Sequence, residues 1–212
     1  YYKEINLAIK EKNFALSVTH ELKTPIASSK LFAETLLQRK GLDPRQITSS
    51  LEKIIQEQNR LNELVEKILL VSTIDEMHND MHLKPISIHL LIDQIIENTS
   101  NSHKLINSIP KDLIVNGDDF YFISLFQNLL DNAQKYSPDG SEINFYLKVN
   151  QIKNIICISD QGIGISDKEK SKIFDRFYRI EDEETRNSKG TGLGLFLVNQ
   201  IIKIHGGKIY CK

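Results

Sequence analysis

The first 75 residues contain a single glycine, Gly41, and place apolar side chains at helical spacing throughout. Ile5, Ile9, Phe14, Val18, Leu22, Ile26, Phe32 and Leu36 recur at steps of mostly three to four, with occasional longer gaps. A second series, Leu51, Ile54, Gln58, Leu61, Val65, Ile68 and Ser72, steps strictly by three and four. That repeat of about 3.5 residues marks the seam of a coiled coil or four-helix bundle. Gly41-Leu42-Asp43-Pro44 interrupts both series, so the two helices are expected to fold back as an antiparallel hairpin. A lone hairpin cannot cover both of its apolar edges. Pairing with a second copy would, which predicts a homodimer built as a four-helix bundle.

The pattern changes after Ile74. Residues 75–82 (Asp-Glu-Met-His-Asn-Asp-Met-His) are polar and aperiodic and read as a linker, with 1–76 and 83–212 as the domains beside it and 77–82 as the strict connection. His78 and His82 stand near acids, but a solvated linker explains them better than a metal site. Beyond the linker, strands are expected near 83–86, 113–115, 142–149 and 153–159, with another beginning at 208. Helices are expected over about 88–99, 118–136 and 191–205. This order predicts an α+β sandwich, one mixed sheet covered by helices on one face. The Asn/Ser-rich stretch from Asn98 to Ser102 reads as a loop.

Composition narrows the partners. Lys plus Arg (27) nearly balances Asp plus Glu (28), which argues against nucleic acid or an anionic membrane. Two cysteines, Cys157 and Cys211, are too few for a disulfide framework and suit a reducing, cytoplasmic compartment. No apolar run approaches the roughly 18 residues needed to span a bilayer. The chain begins with Tyr1 rather than Met and stops shortly after His205-Gly206-Gly207-Lys208-Ile209. It reads as a fragment without direct membrane contact, with any inner-membrane anchor upstream and further closing strands downstream.

Three segments carry chemistry. In the first, Val18-Thr19-His20-Glu21-Leu22-Lys23-Thr24-Pro25, an imidazole on a helix has a hydroxyl four residues on, at Thr24, on the same face. A neutral imidazole nitrogen is a competent nucleophile near neutral pH. Glu21 is the candidate to orient or accept the proton of the other ring nitrogen. Pro25 has no N–H, which leaves the Glu21 carbonyl without its helical donor and should bend the helix. In the second segment, Asn128 and Asn132 lie four apart on one helical face, and their amide oxygens suit magnesium. Lys135, a turn further, can add a charge against phosphate, and Tyr136 can stack on a purine or pack. In the third, Asp160 ends an apolar strand before Gly162 and Gly164, and Gly190-Thr191-Gly192-Leu193-Gly194-Leu195 opens a predicted helix. Glycines permit close backbone approach, and a helix N-terminus offers free N–H groups to phosphate.

Taken together, HELKTP, NLLDNAQKYS, the Asp160-Gly162-Gly164 box, Lys172–Arg179 and the second glycine box resemble the catalytic half of a bacterial sensor histidine kinase. The five motifs occur in that family's order over nearly the whole chain. The resemblance implies an all-α helical hairpin, dimerising as a four-helix bundle, followed by an α+β sandwich ATP-binding domain. It implies that ATP and Mg2+ are bound by Asn128, Asn132, Lys135, Tyr136, Asp160, Gly162, Gly164, Gly190, Thr191, Gly192, Leu193 and Gly194, with the two asparagines on the metal and Asp160 on the adenine amine. His20 would be phosphorylated and pass its phosphoryl group to an aspartate of a response regulator, and Thr24 would position water for regulator dephosphorylation. Arg179, in the motif resembling the family's F box, would meet the γ-phosphate, and residues 180–189 would form a lid. The related hydrolysing ATPases usually carry a glutamate where this chain has Asn128, and an amide cannot serve as that base. A non-catalytic dimeric scaffold and a hydrolysing ATPase are the alternatives.

Overall fold

The computed structural model describes residues 2–39, 41–73, 81–99, 102–149, 153–176, 178–180 and 192–212; side chains of the first helix are described from residue 12 on, apart from 13, 14 and 17. Contacts divide the chain into two units, one built on the helical hairpin and the other on the α+β part. Of the first apolar series, Ile5, Ile9 and Phe14 fall outside the described side chains, as do His78 and most of the linker and lid.

The hairpin consists of α1 (Tyr2–Gln38) and α2 (Pro44–Thr73). Local chemistry sets the turn. Gly41 takes φ +76°, a left-handed conformation that suits glycine. Asp43 then caps α2: its carboxylate accepts the Arg45 N–H at 3.2 Å, and Gln46 Oε1 accepts the Asp43 N–H at 3.3 Å. This is a reciprocal capping box, with Pro44 at the first helical position where its missing N–H costs nothing. Cross-helix contacts pair Glu21 with Arg60, Ser29 with Gln58 and Phe32 with Lys53, so the helices run antiparallel. Pro25 is fully buried, and helix α1 continues through it.

Helix α2 carries two stripes rather than one. Ser50, Ile54, Glu57, Leu61, Leu64, Ile68 and Val71 are at least partly covered. Ile47, Leu51, Ile55, Val65 and Leu69 form a second stripe that is exposed in the single chain, as are Leu16, Ile26, Leu31 and Leu37 of α1. The expected seam mixed the two stripes. Ile54, Leu61 and Ile68 lie on the inner one, whereas Leu51 and Val65 lie on the outer one.

The second unit runs β1 (Lys84–Ser87), α3 (Ile88–Glu97), β2 (Lys104–Ser108), β3 (Ile114–Gly117), α4 (Asp119–Tyr136), β4 (Glu142–Val149), β5 (Asn154–Ser159) and α5 (Gly194–Ile204). Among the described residues the strands form two sheets where one mixed sheet was expected. Strands β1 and β3 pair antiparallel, and β2, β4 and β5 form a three-stranded sheet in which β2 runs parallel to β4. Pro85 cannot donate to a second neighbour, which suits β1 to an edge. Strand β2 lies just past the Asn98–Ser102 loop, where the sequence reading placed no element, whereas residues 207–212, expected to begin a strand at 208, form none and pair with no described strand.

Strand β4 alternates strictly at its start. Ile143 and Phe145 are fully buried, and the core they enter includes Ile92, Leu130, Leu197, Val198 and Ile201. Asp118 ties three elements together. Its carboxylate accepts the Phe120 N–H at 3.1 Å, capping α4, and the His82 N–H at 3.1 Å ahead of β1. Its own N–H donates to His205 Nε2 at 3.2 Å, just past the end of α5. Helix α5 stops in a Schellman turn, with Gly206 at φ +71° and the Gly207 N–H donating to the Ile202 carbonyl at 2.8 Å.

Candidate functional site

Helix α4 carries several of the residues expected at a nucleotide site. Asn128 is 4% exposed, and its Nδ2 donates to the Ser124 carbonyl one turn back at 2.7 Å. That bond fixes the amide's orientation and leaves Oδ1 as the outward acceptor. The oxygen faces Gly194, the first residue of α5: a Cβ built there would meet Asn128 Oδ1 at 3.0 Å and Asn132 Nδ2 at 3.8 Å. The two asparagines therefore converge on a helix N-terminus, where free N–H groups and the dipole favour anions. Only glycine leaves that space open. Gly192, just ahead, takes φ +71°, and Leu193 is 1% exposed. Gly190 and Thr191 lie outside the described residues.

Two turns along α4 a second cluster forms. The Asp160 carboxylate accepts the Gly162 N–H at 2.8 Å. A Cβ on Gly162 would come within 2.8 Å of both Asp160 Oδ1 and the Tyr136 carbonyl, so the loop presses against the end of α4. Gly164 takes φ +73°. Lys135 Nζ lies 4.9 Å from the centroid of the Tyr136 ring, covering one aromatic face with a cation. From residue 128 to residue 136 the helix advances about 12 Å. The pair of amides thus lies in the middle of α4, and the Asp160 loop lies against its C-terminal end.

The phosphoacceptor segment belongs to the hairpin unit. His20 is exposed, and Thr24 Oγ1 donates to the His20 carbonyl at 3.1 Å. The hydroxyl proton is therefore committed to the backbone. Glu21 is 11% exposed and meets Arg60 of α2 at 3.3 Å. Arg179 is exposed; Phe177 and residues 181–191 lie outside the described residues. Among the described residues no three His, Cys, Asp or Glu side chains gather as a metal site, and no helix is long and apolar enough to cross a membrane. The sequence reading missed the Ser124 anchor, whose signal is its position four residues before Asn128. It also missed Arg60, which no local pattern connects to Glu21.

Comparison with known proteins assigns families to both parts of the chain. Residues 10–76 match the family described as His Kinase A (phospho-acceptor) domain, and residues 117–212 match the Histidine kinase-, DNA gyrase B-, and HSP90-like ATPase family. The chain is 34% identical over 211 residues to the sensor histidine kinase WalK of Bacillus subtilis (strain 168), covering 94% of this chain and 34% of WalK. It is 33% identical over 214 residues to the sensor protein SrrB of Staphylococcus aureus (strain N315), covering 99% of this chain and 37% of SrrB. The chain thus spans about a third of the length of the curated relatives it matches. Among solved structures, a mycobacterial sensor histidine kinase, MprB, aligns with TM-score 0.53 and 28% identity over 61% of this chain and 84% of that one. Full-length ShkA, solved in complex with AMPPNP, aligns with TM-score 0.61 over 94% of this chain and 42% of that one; at 20% identity it supports the fold alone. The matches define a chain that joins a histidine-kinase phospho-acceptor domain to an ATPase-family domain. The chain belongs to the two-component sensor histidine kinases.

Proposed function

We propose that residues 83–212 bind Mg-ATP and present its γ-phosphate to His20 in the domain formed by residues 1–76, with 77–82 as the connection. The observation that carries the reading is the convergence of the Asn128 oxygen and Asn132 on Gly194 at the start of α5. Bound Mg2+ would supply charge neutralisation for the phosphate oxygens, and the asparagines fit it as hard, neutral oxygen donors. Asp160 accepts from the adenine amine, while Lys135 and the α5 N-terminus face the phosphates. Gly190, Thr191 and Arg179 are assigned to the same phosphates by the family's motifs.

His20 supplies the nucleophile. One ring nitrogen forms the bond to phosphorus as the bond from phosphorus to the β–γ bridging oxygen breaks, its electron pair leaving with the nucleoside diphosphate. The proton on the other ring nitrogen passes to the Glu21 carboxylate. Positioning and charge neutralisation do most of the work in such a transfer. An amide at position 128 cannot take a proton from water, which favours transfer to protein over hydrolysis. The phosphoryl group then moves to an aspartate of a response regulator, and Thr24 positions the water that later hydrolyses that aspartyl phosphate. The exposed apolar stripes of α1 and α2 support a homodimer, since burying them would complete a four-helix bundle.

Incubation of the chain with γ-labelled ATP and magnesium tests the reading. The expected product carries acid-labile, alkali-stable label, which His20→Gln abolishes while nucleotide affinity persists. Label surviving in that variant, or free phosphate released without labelling, would overturn it.

A further inference from the structure

Arg60, on α2, reaches the phosphoacceptor segment from the opposite helix. Its Nη2 donates to Glu21 Oε2 at 3.3 Å, with Glu21 11% and Arg60 37% exposed. His20, one residue earlier, is exposed. Successive residues on a helix diverge by about 100°, so this pair holds the carboxylate on the α2 side while the imidazole stands toward solvent. A carboxylate takes a proton from an imidazole only from about 2.6–3.2 Å. Arg60 works against that approach in two ways. It engages one carboxylate oxygen with a charge-assisted hydrogen bond, and it stabilises the inward rotamer through opposite charge in a partly desolvated site.

We propose that Arg60 is a positioning residue that restrains Glu21, so that the packing of α1 on α2 sets how freely the carboxylate reaches the His20 imidazole. The inference rests on Glu21 receiving the imidazole proton, as proposed above. It adds no reactant: the proton leaves the ring nitrogen that is not bonding to phosphorus and ends on Glu21. Any movement that shifts α1 against α2 near residues 21 and 60 would loosen the pair and speed the transfer. An upstream signal would then act on the chemistry through the packing of α1 on α2.

Single-turnover labelling of the whole chain with γ-labelled ATP and magnesium tests this. Arg60→Gln should phosphorylate about three- to tenfold faster at saturating ATP, as expected for losing a restraint of this kind. KM for ATP should stay unchanged, because the nucleotide site is untouched. Arg60→Lys keeps the charge but not the planar fork and should fall between the two. In a Glu21→Gln background, which is slow, Arg60→Gln should change nothing. Circular dichroism and molecular mass check that each variant keeps its helices and assembly. An unchanged or slower Arg60→Gln beside an impaired Glu21→Gln overturns the restraint, and so does acceleration that persists without Glu21. Full activity of Glu21→Gln alone removes the proton-acceptor reading itself, a distinct outcome that also ends this inference.

Discussion

Gly194→Ala separates folding from binding at the nucleotide site. The added methyl would stand 3.0 Å from Asn128 Oδ1 and 3.8 Å from both Asn128 Cγ and Asn132 Nδ2. Asn128 cannot easily yield, because it is 4% exposed and its amide nitrogen is held by the Ser124 carbonyl at 2.7 Å. Alanine brings a helix-forming advantage of up to about 1 kcal/mol over glycine, which offsets the tight contact. Folding stability should therefore change by no more than about 1 kcal/mol in either direction. Binding has no such compensation. The methyl fills the space between the oxygen proposed to face Mg2+ and the α5 N–H groups. Loss of one contact to a charged group is worth about 1.5–3 kcal/mol, or roughly a 10- to 150-fold rise in Kd. Isothermal titration with Mg-ATP measures the affinity, and differential scanning calorimetry measures the stability. A Kd within about twofold of the parent chain, with an unchanged melting temperature, would refute the assignment of Asn128 and Gly194 to the nucleotide.

Two other perturbations probe the scaffold. Phe145 is fully buried and meets Phe126 edge to face at 6.4 Å between centroids, so Phe145→Ala should cost about 3–5 kcal/mol in urea unfolding; a loss under about 1 kcal/mol would show that β4 does not anchor the core. Asp119 has its carboxyl held below the ordinary value, chiefly by the hydrogen bond from Lys84 at 2.7 Å. A depressed carboxylate contributes stability that is present above its unfolded-state pKa and is lost as pH falls through the folded-state value. Lys84→Met should therefore flatten part of the fall in melting temperature below about pH 4. Both partners are exposed, so the effect is small, and parallel curves for the two proteins would refute it.

The hairpin was legible because its turn chemistry and periodicity agree: Gly41, Asp43 and Pro44 each do what their residue type favours. Periodicity could not separate the two stripes of α2, since both repeat by three and four and lie one position or so apart. Glu57 and Leu64 point inward where Gln58 and Val65 had been expected. Strand β2 escaped notice because Lys104–Ser108 is short and polar at both ends. It forms through partners distant in sequence: the β4 ladder, and Asn107, whose Nδ2 donates to Asp93 at 2.7 Å. The helices expected over about 118–136 and 191–205 are α4 and α5. The sequence motifs could not show that Asn128 is buried and pinned, or that Glu21 faces an arginine 39 residues away. Those facts depend on how helices rotate against each other, which a one-dimensional pattern does not record.

The bond between the Asp118 N–H and His205 joins residues 87 apart in the chain. On a ribosome adding about 5–20 residues per second, that separation is roughly 4–17 s of synthesis. During that interval the chain gains α4 and its asparagines but lacks α5, the helix proposed to meet the phosphates. The hairpin, complete at Thr73, has its whole sequence much earlier. On the proposed reading, competence to hold nucleotide waits for α5, and the helical hairpin has its whole sequence before any nucleotide site exists to act on it.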